Sequence, residues 1–120
     1  MTWALEHTDE FENWWTALDD GAQVDIAACV RLLEEQGPSL RFPYSSGIAS
    51  SRHEHMRELR VQHGGNPIRI LYAFNPLRTA ILLLGGHKGG NDRWYDENVP
   101  KADALYDVHL AELRAEGLLK

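Results

Sequence analysis

Three strand-like runs, joined by links too short to hold a helix, occupy the middle of the chain. Arg57, Leu59 and Val61 alternate with Met56, Glu58 and Arg60. Ile68, Ile70, Tyr72 and Phe74 alternate with Arg69, Leu71 and Ala73. Gly64-Gly65-Asn66 between the two runs is turn chemistry, and Asn75-Pro76 turns the chain again. Thr79–Leu84 is apolar at strand length, the pattern of a central strand buried on both faces. Consecutive strands with links this short pair antiparallel, so the stretch predicts a meander.

The flanks carry helical periodicity. Trp3, Leu5 and His7 first alternate as a short strand, and Asp9 with Glu12 resembles a capping box. Phe11, Trp14, Trp15 and Leu18 then recur at helical spacing as far as Asp19-Asp20-Gly21. A second helix is predicted from Gln23 to Gln36, with Ile26, Ala27, Val30 and Leu33 on one face and Gly37-Pro38 ending it. The pair reads as a helical hairpin packing its apolar faces on the sheet. Pro38–Ser51, with two prolines and five serines, reads as a loop. Gly85–Asn91 reads as another, and a last helix is predicted over Pro100–Glu116. The predicted class is α+β: one domain over residues 1–120, in the order β-α-α-β-β-β-α, with an antiparallel sheet.

No unbroken apolar run is longer than Ala80–Leu84, far short of the roughly 20 residues that span a membrane. Met1–Glu12 carries four acids and no basic segment, so no secretory leader is expected. One cysteine, Cys29, excludes an intrachain disulfide and fits a reducing, cytoplasmic compartment. The net charge of −6 is unevenly spread. Residues 1–40 hold nine acids and one base, residues 41–94 three acids and eight bases, and residues 95–120 six acids and three bases. A basic middle (+5) framed by acidic ends (−8 and −3) suits a local anion-binding surface, or a chance alternation of solvated faces.

The chemistry-bearing residues fall in that middle. Arg57 and Arg60 sit on the first hairpin strand, and Arg69 intrudes on an apolar one. His87 and Lys88 follow the third strand; Arg93, Trp94 and Tyr95 follow the glycine-rich loop. Cations, an imidazole, a phenol and an indole match single-stranded RNA recognition, where phosphates are neutralised and bases stacked. The same groups suit phosphodiester cleavage. The plainer alternatives are that Arg57 and Arg60 pair with Glu58 or Glu54, and that Trp94 and Tyr95 pack on the last helix. His53-x-His55 lacks further ligands at a metal-site spacing, and Gly85–Gly90 lacks the lysine and hydroxyl ending of a phosphate-binding loop. No metal or other cofactor is expected.

Met56-Arg57-Glu58-Leu59-Arg60, Ile68-Arg69-Ile70-Leu71-Tyr72-Ala73-Phe74, Ala80–Gly85, His87-Lys88 and the helix started by Pro100 together resemble the HigB-like, phage-derived branch of the RelE/ParE toxin superfamily. The resemblance covers about residues 52–113. It implies the toxin of a type II toxin–antitoxin system: a cytoplasmic, metal-independent mRNA endoribonuclease acting at the ribosome. It also implies neutralisation in a hetero-oligomer by a cognate helix-turn-helix antitoxin. By match to the family, Arg60 and Arg69 fall on strand arginines, Lys88 on the basic residue after the last strand and Tyr95 in the place of the catalytic aromatic. Arg69, Lys88, Tyr95 and, for its near-neutral imidazole, His87 are the catalytic candidates, with Arg57, Arg60, Arg93 and Trp94 as the RNA-binding ones. Arg69 is expected to hold the scissile phosphate, and its loss to leave the fold largely intact. The chain departs from the family in its net charge and in the longer Asn91–Val99 segment. The alternatives are a ParE-like inhibitor of a protein target such as DNA gyrase, or a phage-derived remnant that binds only its antitoxin.

Overall fold

The computed structural model describes residues 2–119. Its elements are β1 (Leu5–His7), α1 (Asp9–Thr16), α2 (Asp20–Gln36), β2 (Ser45–Gly47), β3 (Arg57–His63), β4 (Asn66–Phe74), β5 (Ala80–His87) and α3 (Trp94–Ala115). The five strands form one sheet in the order β1-β5-β4-β3-β2. The predicted meander β3-β4-β5 is antiparallel throughout, and β5 lies inside the sheet with Ala80–Leu84 all buried.

Three features differ from the sequence reading. β1 pairs parallel with β5, Leu5 opposite Ala80, so the sheet is mixed at that edge. A strand, β2, lies within the predicted Pro38–Ser51 loop and pairs antiparallel with β3. It shows no hydrophobic alternation because what it buries is a hydroxyl: Ser45 Oγ bonds Tyr72 Oη at 2.7 Å and accepts from Arg57 Nε at 3.1 Å. Finally, α3 starts at Trp94, not Pro100. Trp94 and Val99 are 4% and 2% exposed and anchor its first turns on the sheet. Pro100 therefore falls inside the helix, on its exposed side, where a missing N–H is best tolerated.

Helix starts follow polar caps. Thr8 Oγ1 accepts from the Phe11 N–H at 3.0 Å and donates to the Leu83 carbonyl at 2.6 Å, fixing α1 to β5. The cap is thus Thr8, one residue before the predicted box. Asp19, read as part of a terminator, caps α2 by accepting from the Ala22 N–H at 2.8 Å.

Helices cover both faces of the sheet. On one, α1 and α2 bury Phe11, Ile26 and Leu33 against Leu59, Val61, Ile68, Ile70, Tyr72 and Leu82, while Trp14, Trp15 and Val30 are partly buried there. Ala27 is exposed; Ala22 and Cys29 complete the buried stripe of α2. On the other, α3 packs Trp94, Val99, Ala102 and Tyr106 on Leu71, Ala73, Ile81 and Leu83. Burial pushes the Cys29 thiol up to about 11. The folded state thus holds that proton more tightly than the unfolded chain. Stability from this group is intact at neutral pH and falls as pH rises through about 9 to 11, measurable by denaturant titration across that range.

A bulge in β5 decides which side chains reach which face. Leu71 pairs with Leu84 but Tyr72 with Leu82, leaving Leu83 as the extra residue. Side-chain parity flips beyond it. Gly85 faces Trp14 and Gly86 faces Trp94, each so closely that a Cβ would lie 2.3 Å and 2.8 Å from the indole. Gly85→Ala is therefore expected to destabilise by about 1–3 kcal/mol through overpacking. Chemical denaturation checks this, and no loss would show that Trp14 does not seat on Gly85.

Candidate active site

On the α3 face, strand pairing places Arg60 directly opposite Arg69. Two cations at that separation repel unless an anion joins them. Glu58, two residues along β3 on the same face, supplies it. Its Oε2 lies 3.4 Å from Arg60 Nη1 and its Oε1 3.4 Å from Arg69 Nε. The same carboxylate accepts from Ser46 Oγ of β2 and from Tyr95 Oη of α3, both at 2.6 Å. Glu58 is only 4% exposed, so its lone pairs are met by protein groups.

Lys88 joins because of the β5 bulge. Its Nζ stands 5.5 Å from the centroid of the Tyr95 ring, and its backbone N–H donates to the Pro67 carbonyl at 2.9 Å. Two arginines thus flank the carboxylate and Lys88 stands over the ring of the phenol bonded to it, leaving an excess of positive charge. Burial holds the Tyr95 phenol above its ordinary pKa, and the bond to Glu58 adds to this; Arg69 opposes it. Tyr95 therefore keeps its proton at neutral pH.

Arg69 is buried, at 6% exposure, and its Nη1 donates to its own strand at the Ile68 carbonyl (3.1 Å). Its Nε makes a charge contact with Glu58 without hydrogen-bond alignment, and is the one buried side-chain donor without a partner among the described residues. It shares a face with Leu71 and Ala73 as expected, but lies in the layer beneath Tyr95 rather than open to solvent.

Among the candidates, then, Arg60, Arg69, Lys88 and Tyr95 come together. His87 does not. The bulge turns it to the opposite face, where its ring lies 6.4 Å from that of Trp14. Arg57, of opposite parity to Arg60, also points to the other side and donates to Ser45 Oγ and the Leu40 carbonyl. Trp94 is a core side chain at 4% exposure and is not free to stack on a base. Arg93 is exposed just before α3, and its side chain makes no ion pair or hydrogen bond among the described residues. His53 bonds Asp107 Oδ1 at 2.8 Å while His55 is exposed; no group of three potential metal ligands occurs among the described residues. From sequence Glu58 is only a plain ion-pair partner of Arg57 or Arg60, as it is here for Arg60, and Ser46 is missed. The signal for Glu58 was its spacing of two from Arg60, with Arg69 opposite; Ser46 gave none.

This sheet and its helices define a RelE-like fold. The archaeal RelE of a RelE–RelB complex from Pyrococcus horikoshii superposes with a TM-score of 0.56 at 15% identity, covering 75% of this chain and 99% of that one. A mutant of Escherichia coli toxin RelE in the free state gives 0.59 at 12% identity, covering 84% and 98%. The chain belongs to the family described as phage-derived protein Gp49-like, which matches residues 13–107. Two Mycobacterium tuberculosis proteins are similar to it. "Putative toxin HigB3" is 43% identical over 109 residues, 90% of this chain and 94% of that protein. "Putative toxin HigB2" is 41% identical over 106 residues, 87% of this chain but 53% of that longer protein. The chain is thus a HigB-like toxin homologue of the Gp49-like family, built on a RelE-like fold.

Proposed function

We propose that this toxin homologue acts as an mRNA endoribonuclease, with the ribose 2′-hydroxyl as nucleophile and the Glu58–Tyr95 pair moving the protons. The observation that carries this reading is the 2.6 Å bond from a protonated phenol to a buried carboxylate, ringed by Arg60, Arg69 and Lys88. The backbone phosphate would meet Arg60 and Lys88 first, since Arg69 lies deeper. Entry of the ribose displaces the Tyr95 hydroxyl from Glu58. The 2′-oxygen then attacks phosphorus and yields its proton to Glu58, while Tyr95 protonates the leaving 5′-oxygen. The products are a 2′,3′-cyclic phosphate and a 5′-hydroxyl; proton return from Glu58 to Tyr95 resets the pair. Negative charge growing on the phosphorane is stabilised by the cations.

The test is cleavage of a defined mRNA by the full chain, free and on translating ribosomes. The expected result is cut ends bearing cyclic phosphate, with cleavage lost when the nucleotide at the cut is 2′-deoxy. Absence of cutting in both settings contradicts the reading. The P. horikoshii RelE is found with RelB, which supports a protein antitoxin for this chain as well. A helix-turn-helix protein encoded next to it is the expected partner. Co-purification with that product checks this, and its failure to bind removes the pairing.

A further inference from the structure

We propose that Phe42 and Tyr44 form a base-stacking wall beside the charged cluster, seating one nucleobase of single-stranded RNA next to the phosphate at Arg60. The inference rests on the ribonuclease reading and adds to it a subsite on an element, the approach to β2, that the sequence reading took for a plain loop.

Phe42 is 70% exposed and Tyr44 47% exposed. They are the two aromatic side chains among the large hydrophobics exposed in the described residues; the rest, Val24, Leu77, Val108 and Leu118, are aliphatic and separate in sequence. Scattered aliphatic exposure is ordinary. Two exposed rings at alternate positions beside a cation are not explained that way.

Their placement follows from strand pairing. The Arg60 N–H donates to the Tyr44 carbonyl at 2.8 Å, which puts Tyr44 across from Arg60 just before β2 begins. Ser46, two residues on, bonds Glu58 on the α3 face, so strand alternation directs Tyr44 toward that face. Pairing continues from Arg60 to Arg69 and from Arg69 to Gly86. Tyr44, Arg60 and Arg69 thus form a row across three neighbouring chain segments, spaced by roughly 4.8 Å per step.

Phe42 meets the row at Arg60. The Arg60 guanidinium lies 5.0 Å from its ring centroid. The ring is nevertheless mostly in water, and Arg60 itself remains 28% exposed. The contact therefore leaves ring surface free for another planar group. A nucleobase meets the geometry: its own face stacks on the aromatic ring while its backbone phosphate reaches the guanidinium. Base–aromatic stacking beside a phosphate-binding cation is the usual construction of single-strand binding sites.

The probe is a fluorescein-labelled RNA 12-mer, 2′-O-methylated throughout so that it cannot be cut and carrying 2-aminopurine at successive positions. Binding of the full chain is followed by anisotropy and by 2-aminopurine quenching. Phe42→Ala and Tyr44→Ala are each expected to weaken binding about tenfold, the lower part of the range for losing one stacked base, and to relieve the quenching at one position. Phe42→Trp should restore both signals, and the melting temperature should stay within a few degrees, since neither ring is in the core. If wild type binds and cuts RNA while both alanine variants bind within twofold and quench alike, the wall is refuted and the ribonuclease reading stands. Loss of antitoxin affinity with RNA binding unchanged likewise refutes it and gives the rings to the antitoxin. If wild type neither binds the probe nor cuts mRNA on ribosomes, both readings fall together.

Discussion

Arg69→Ala is expected to lower the unfolding free energy by about 3–5 kcal/mol, the usual loss when one partner of a buried ion pair is removed. Arg69 and Glu58 are 6% and 4% exposed, and their charged groups lie 3.4 Å apart. Without the guanidinium, the carboxylate remains buried with the Ser46 and Tyr95 hydroxyls and the more exposed Arg60. The double variant Glu58→Gln/Arg69→Met leaves no buried charge unpaired, so most of the stability should return. Denaturant unfolding of Glu58→Gln, Arg69→Met and the double variant measures this coupling. Additive effects would mean that the pair does not interact. The expectation from sequence, that Arg69 could be lost with the fold intact, gives way because α3 covers it. Specific cleavage by the folded fraction of Arg69→Ala should also fall by about two to three orders of magnitude, since Glu58 loses the cation that orients it. Arg69→Lys keeps the charge without the planar fork and should restore only part of either property.

Tyr95→Phe should leave a folded protein whose cleavage rate is lower by about two to four orders of magnitude, the scale of one general acid. The change deletes a single oxygen at a half-buried position and keeps the ring that Lys88 approaches. Both burial and Glu58 hold the phenol protonated, so wild-type cleavage should not fall on the Tyr95 limb until pH exceeds the ordinary tyrosine value of about 10. The linkage has the same sign. The folded state binds the phenolic proton more tightly than the unfolded state, so this contribution to stability is complete below about pH 10 and declines above it. A pH–rate profile falling near neutrality would implicate another group. His87, on the far side of the sheet, is not positioned to be that group.

Much of the fold could be read in the sequence because apolar periodicity reports burial directly. The β3-β4-β5 meander, the helical hairpin and the buried middle strand all follow from it. The parallel β1 edge did not, since a three-residue strand carries no signal for the partner it will choose. β2 was hidden because its buried residue is a serine satisfied by Tyr72 and Arg57. Of the candidate cluster, Arg60, Arg69, Lys88 and Tyr95 follow from residue type and resemblance. His87 and Lys88 look equivalent as neighbours in sequence, yet one bulged residue, Leu83, sends them to opposite faces. The same alternation separates Arg57 from Arg60. Glu58 was set aside as a neutralising partner; its four polar contacts became apparent only when β2, β3, β4 and α3 were brought together.

Transcript-end mapping after brief induction of wild type and of Tyr95→Phe tests the ribonuclease assignment most directly. Wild type should halt translation within minutes and produce new 5′-hydroxyl ends within coding regions, and Tyr95→Phe at equal abundance should produce almost none. Arrest with intact transcripts and an early DNA-damage response would contradict the account and place the chain with inhibitors of a topoisomerase.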